Sequence, residues 1–143
     1  MTLFPDELLS PRSKQQQHVE SQRLDTYRQK YERYVSTFPR EKLEAIEAFV
    51  KVLETYSGTH VFNPWRDVDL ELDYSMEARE IRQKNLIVYL LPRLGRASLF
   101  VVAEAVGYQG GRFTGIAITC ERMLLGYHKT IESKAVTEID LLR

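Results

Sequence analysis

SLFVVAEAVGYQGGRFTGIAITCER, from Ser98 to Arg122, is the stretch on which the fold turns. Its apolar run Leu99-Phe100-Val101-Val102-Ala103 is short, partly β-branched and bounded by a loop, which predicts a fully buried strand. Glu104 places a carboxylate at the carboxyl end of that strand. Gly107, Gly110, Gly111 and Gly115 follow in a loop. Thr119 then predicts a helix N-cap, its hydroxyl taking an orphan N–H of the first turn. Strand, carboxylate, glycine-rich loop and helix, in that order, is how an open α/β sheet builds a site at the carboxyl end of a strand.

Working outward, Arg93-Leu94-Gly95-Arg96 reads as the turn into the strand. Before it, Ser75 to Leu91 predicts a helix with Ser75 as N-cap, stopped by Pro92. Its last part, Leu86-Ile87-Val88-Tyr89-Leu90-Leu91, would alone pass for a strand; the strong helix formers before it favour helix. Thr59 to Tyr74 is a long connection without a clear period. It carries His60 and the acids Asp67, Asp69, Glu71 and Asp73. No second ligand cluster completes a metal shell there, so these acids read as a solvated edge or loop. Thr37-Phe38-Pro39 opens a further helix, with Leu43, Ile46, Phe49, Val50 and Leu53 on its buried face and Gly58 as C-cap. From Ser13 to Val35 a polar helix carries one stripe, Leu24, Tyr27, Tyr31, Tyr34 and Val35, suited to packing on the core or on a partner. Residues 1–14 read as an extended arm, so the chain divides into 1–35, arm and polar helix, and 36–143, the folded domain. Downstream, Thr119 to Gly126 predicts a short helix with Met123, Leu124 and Leu125 inward, and Val136 to Leu142 begins another element.

Composition bounds the function classes. At 143 residues, 43% of them hydrophobic, the chain is one domain by length. Cys120 is its only cysteine, which excludes an internal disulfide and a four-cysteine iron–sulfur cluster and argues for a reducing compartment, the cytoplasm. No apolar run approaches membrane-spanning length, and the N-terminus lacks the order of a signal peptide. Net charge is zero, but residues 1–76 hold ten Lys/Arg against thirteen Asp/Glu, whereas 77–143 hold ten against seven. The half with the glycine loop is mildly basic, compatible with a DNA-facing surface. No metal-ligand spacing of His and Cys occurs, and the glycines match neither a phosphate-binding loop nor Gly-x-Gly-x-x-Gly.

Ala103-Glu104-Ala105-Val106-Gly107, followed by Gly110-Gly111-Arg112-Phe113-Thr114-Gly115, resembles the uracil-DNA glycosylase superfamily, in particular the bacterial uracil-DNA-glycosylase-like proteins. Their first strand ends in a Gly-Glu-Ala-Pro-Gly type motif, and a Gly-x-x-Phe-x-Gly loop follows. Asn63-Pro64-Trp65-Arg66-Asp67 and Glu121-Arg122-Met123-Leu124-Leu125-Gly126 also look like those relatives, so the resemblance covers roughly Val61 to Tyr127. It implies an α/β fold: N-terminal helices, then the first strand or strands of a parallel-sheet αβα sandwich. The late His-containing loop of the family has no match here, so the resemblance is to its N-terminal part, and the sheet is expected to be incomplete. An incomplete sheet exposes an edge, which predicts self-association or a second chain. Val106 and Ala117 stand where relatives carry or often carry proline, and Ala103 stands where they carry glycine.

The implied activity is base-excision DNA repair: hydrolysis of the N-glycosidic bond of a flipped uracil-type base in single- or double-stranded DNA, without metal or cofactor. By the resemblance Glu104 positions the water, or else only accepts N–H bonds from the glycine loop. Phe113 stacks on the base, or else packs in the core. Backbone N–H groups of Ala105, Val106 and Gly107 face the base carbonyls, Tyr108 borders the pocket, and Arg112 meets a DNA phosphate or is a solvated loop arginine. The alternative is a shortened, non-catalytic relative that binds nucleic acid or a protein.

Overall fold

The computed structural model describes residues 14–101 and 110–142. Within them the chain forms α1 (Lys14–Val35), α2 (Arg40–Thr55), α3 (Ala78–Leu90) and three one-turn helices, α4 (Gly111–Thr114), α5 (Glu121–Leu124) and α6 (Ser133–Val136). No strand occurs among the described residues.

The α/β expectation is therefore overturned. Leu99, Phe100 and Val101 are 78%, 84% and 64% exposed rather than buried. An apolar run becomes a buried strand only where neighbours accept from its N–H groups and donate to its C=O groups, and an isolated strand has no independent stability. The described residues supply no such neighbour, so the run lies as irregular backbone on the surface. Among the described residues the parallel-sheet αβα sandwich is not seen, and helices pack on helices instead. Val102 and Ala103 lie outside the described residues.

Helix α3 is the centre of that packing. Seven of its thirteen residues are buried, Ala78, Ile81, Arg82, Asn85, Leu86, Ile87 and Val88. Helices α1, α2 and α4 all pack against it. Helix α1 contains neither glycine nor proline and buries Tyr27, Tyr31 and Val35, one turn apart. Its stripe packs on the chain's own core, and burial pushes the Tyr27 and Tyr31 phenols well above their ordinary range. Helix α2 starts after Pro39, whose missing N–H costs nothing in a first turn, and buries Ile46 and Val50. Phe49, expected inward, is instead 47% exposed. Val88, Leu91 and Ile116 are wholly buried, and Leu124, Val136 and Leu141 continue the same core.

Other local expectations shift by a residue or two. Helix α3 begins after Glu77, and Ser75 contributes its backbone carbonyl, not its hydroxyl, to the N–H of Ala78. Helix α2 ends at Thr55 with Tyr56 as its C-cap, before Gly58. Cys120 caps α5, while the Thr119 hydroxyl donates to the Ala117 carbonyl.

One buried amide ties the helices together. Asn85 accepts from the Tyr27 hydroxyl (2.8 Å) and donates to the carbonyls of Thr114 (3.0 Å) and Leu142 (2.8 Å). It is wholly buried, so these bonds replace water that cannot reach it.

Candidate functional site

The connection from Phe62 to Asp73, without period in sequence, is built from two turns of one design. In the first, the Asn63 side-chain oxygen accepts the Trp65 N–H, the Asp67 N–H returns to the Asn63 carbonyl, and the Asn63 N–H donates to Asp67 Oδ2 (2.8 Å). In the second, Asp69 Oδ1 accepts the N–H groups of Glu71 and Leu72, the Asp73 N–H returns to the Asp69 carbonyl, and the Asp69 N–H donates to Asp73 Oδ2 (2.8 Å). Short polar side chains are suited to such closures because they reach their own backbone two residues on. The Asn63 amide also donates to the carbonyls of Leu53 and Tyr56, which satisfies the end of α2.

Arg82 of α3 holds both turns. Its guanidinium donates to the carbonyls of Pro64 (2.6 Å) and Asp67 (2.6 Å) and to Asp73 Oδ1 (2.7 Å). The Arg82 and Asp73 side chains are 1% and 3% exposed. Of the acids read as a solvated edge or loop, Asp73 is thus turned inward, Asp67 and Asp69 are partly buried, and Glu71 is exposed. Asp67 is held below the usual carboxylate range chiefly by the Arg66 guanidinium, and Asp69 first by the Glu71 N–H and then by Arg112. No group of three or more His, Cys, Asp or Glu residues able to hold a metal ion occurs among the described residues.

The glycine loop meets this assembly. The Trp65 indole N–H donates to the Gly115 carbonyl (3.1 Å), bridging a sequence separation of 50. Gly115 has φ +77°, and a Cβ there would overlap the Arg82 backbone carbonyl, so only glycine lets α4 end against α3. Arg112 reaches across to form an ion pair with Asp69. Its guanidinium carbon lies 4.4 Å from the Phe62 ring centre and 5.3 Å from that of Phe113. Phe62 takes the Arg82 guanidinium at 5.5 Å as well. The Thr114 hydroxyl, wholly buried, accepts the Ile116 N–H and donates to the Thr119 carbonyl, which closes the loop behind α4.

Two of the sequence-derived site residues are therefore in one place. Phe113 is half-buried beside Arg112, and Arg112 is directed to Asp69, its side chain 13% exposed. Glu104, Ala105, Val106, Gly107 and Tyr108 lie outside the described residues. Sequence reasoning missed Arg82 and Asn85, the two residues that position everything else. The signal was present: both occupy the helical register of Ala78, Ile81 and Leu86, where an unpaired polar group would be costly. No family model, curated protein or solved structure matches the chain. No helix among the described residues is long and apolar enough to cross a membrane.

Proposed function

We propose that this chain is a uracil-DNA-glycosylase-like protein that takes up a flipped uracil-type base and hydrolyses its bond to deoxyribose. One observation carries the reading: the two stretches that resemble the family, Asn63–Asp67 and Gly110–Gly115, are bonded to each other through Trp65 and Gly115. The reading rests on that juxtaposition and not on a sheet. Phe113 offers a half-buried ring for stacking at the edge of the junction. In the reaction the bond between C1′ and the base nitrogen breaks, the base leaves as an anion, and water adds to C1′ and gives up a proton that ends on the departed base. Glu104 orients that water and favours the cationic sugar, while N–H groups of Ala105, Val106 and Gly107 stabilise the departing anion.

The test is an end-labelled, uracil-containing single-stranded oligonucleotide, with Glu104→Ala as control. Alkali-labile breaks at uracil that disappear in the variant are expected. A folded protein that makes no breaks, or a variant that keeps the full rate, refutes the catalytic reading. A second reading, a non-catalytic module binding nucleic acid or protein, is favoured by the exposure of Leu99, Phe100 and Val101.

A further inference from the structure

Two of the arginine–aspartate pairs at the junction differ in one respect. Arg82 and Asp73 are sealed at 1% and 3% exposure, whereas Arg112 and Asp69 keep 13% and 25%. Water and small anions reach the second pair and not the first. We propose that Arg112 is a latch: its pair with Asp69 draws the guanidinium across Phe62 and Phe113, covering the ring on which a base would stack, and a backbone phosphate of single-stranded DNA opens the site by taking the guanidinium from Asp69. This rests on the base-binding reading given above.

Three details allow the exchange. Asp69 receives Arg112 on Oδ2, and a phosphate can accept two parallel N–H bonds from one guanidinium, so the exchange loses Arg112 no hydrogen bond to its anion. Asp69 spends Oδ2 on Arg112 but Oδ1 on the Glu71 and Leu72 N–H groups, so its turn survives the loss of the arginine. Phe62 keeps the Arg82 guanidinium over its ring when that of Arg112 departs. The latch therefore opens by a side-chain swing, with the loop beneath it left standing.

Asp69→Asn tests the proposal, because asparagine keeps the turn's acceptor and removes the charge that competes with phosphate. Binding of the full chain to a labelled uracil-containing single-stranded oligonucleotide is followed by fluorescence anisotropy at fixed salt. The variant is expected to bind about fivefold more tightly, the scale of one part-exposed ion pair, and Arg112→Gln more weakly than wild type. A folded Asp69→Asn protein that binds no more tightly, or no binding by either protein, overturns the latch. Should the variant not fold, the Arg112 Nε signal of wild type in nitrogen-15 NMR decides: it is expected to move when the oligonucleotide is added, and a fixed signal refutes the exchange. Inorganic phosphate moving that signal as readily as the oligonucleotide would refute DNA as the opener. Uracil release is scored separately. Tighter binding without release leaves the latch and removes the catalytic reading; release without tighter binding does the reverse.

Discussion

Replacing Arg82 by methionine keeps most of the side chain's volume and removes the guanidinium. What it leaves behind sets the magnitude. The Asp73 carboxylate, 3% exposed, loses the Arg82 guanidinium, and the carbonyls of Pro64 and Asp67 lose a donor each. Among the described residues, Asp73 retains the Asp69 N–H on its other oxygen. Removing one partner of a buried ion pair costs about 3–5 kcal/mol. A domain of this size has about 5–15 kcal/mol in total. Arg82→Met should therefore remove about a fifth or more of the stability, or unfold the chain. Urea unfolding followed by the fluorescence of Trp65, the only tryptophan, measures this at the junction itself. Asp73→Asn leaves Arg82 with two carbonyl acceptors and should cost less, and the double variant should cost less than the two singles added together. A loss below about 1 kcal/mol for Arg82→Met would refute the reasoning, since it would mean that water or other groups satisfy Asp73 freely.

Two further outcomes follow from the same geometry. Asp67 and Asp69 both have folded pKa values depressed below the ordinary 3.8, so their contribution is whole above that value and is lost as pH falls through the folded pKa. The midpoint of thermal unfolding should accordingly drop as pH goes below about 4, and Asp69→Asn should flatten that drop; an unchanged slope in the variant would exclude Asp69 as a contributor. Gly115 and Gly95 share a positive φ, +77° and +76°, but only Gly115 faces the Arg82 carbonyl, whereas nothing lies within 4 Å of Gly95. Gly95→Ala should cost about 1–2 kcal/mol in backbone strain and Gly115→Ala clearly more, with equal costs in urea melts contradicting the close approach.

The helices were legible because their signals are local. Tyr27, Tyr31 and Val35 repeat at one-turn spacing, and Pro39 and Pro92 punctuate α2 and α3. The failure at Leu99–Val101 has the opposite cause: strand formation depends on neighbours that no local pattern specifies, and the described residues offer none. Arg112 and Phe113 are singled out by the resemblance of the Gly110–Gly115 loop, yet their mutual geometry is not legible there, because it is fixed from α3. Arg82 and Asn85 looked like ordinary polar residues of a helix, and only the register of Ile81 and Leu86 betrays that they point inward. The acids from Asp67 to Asp73 looked solvent-facing because alternating charge reads as an edge; turns that spend carboxylates on their own backbone leave no periodic trace.

The twin turns at Asn63–Asp67 and Asp69–Asp73 bear on how the chain can vary over evolutionary time. Each closes on itself over the same number of residues, and both are anchored to the single side chain of Arg82. Dropping or adding one residue anywhere between 63 and 73 would put an acid out of step with its arginine, whatever replaced it. The preceding stretch from Ser57 to Val61 is exposed and under no such obligation. Insertions and deletions among descendants of this sequence should therefore gather before Phe62, leaving a segment of frozen length in what looks, letter by letter, like a loop.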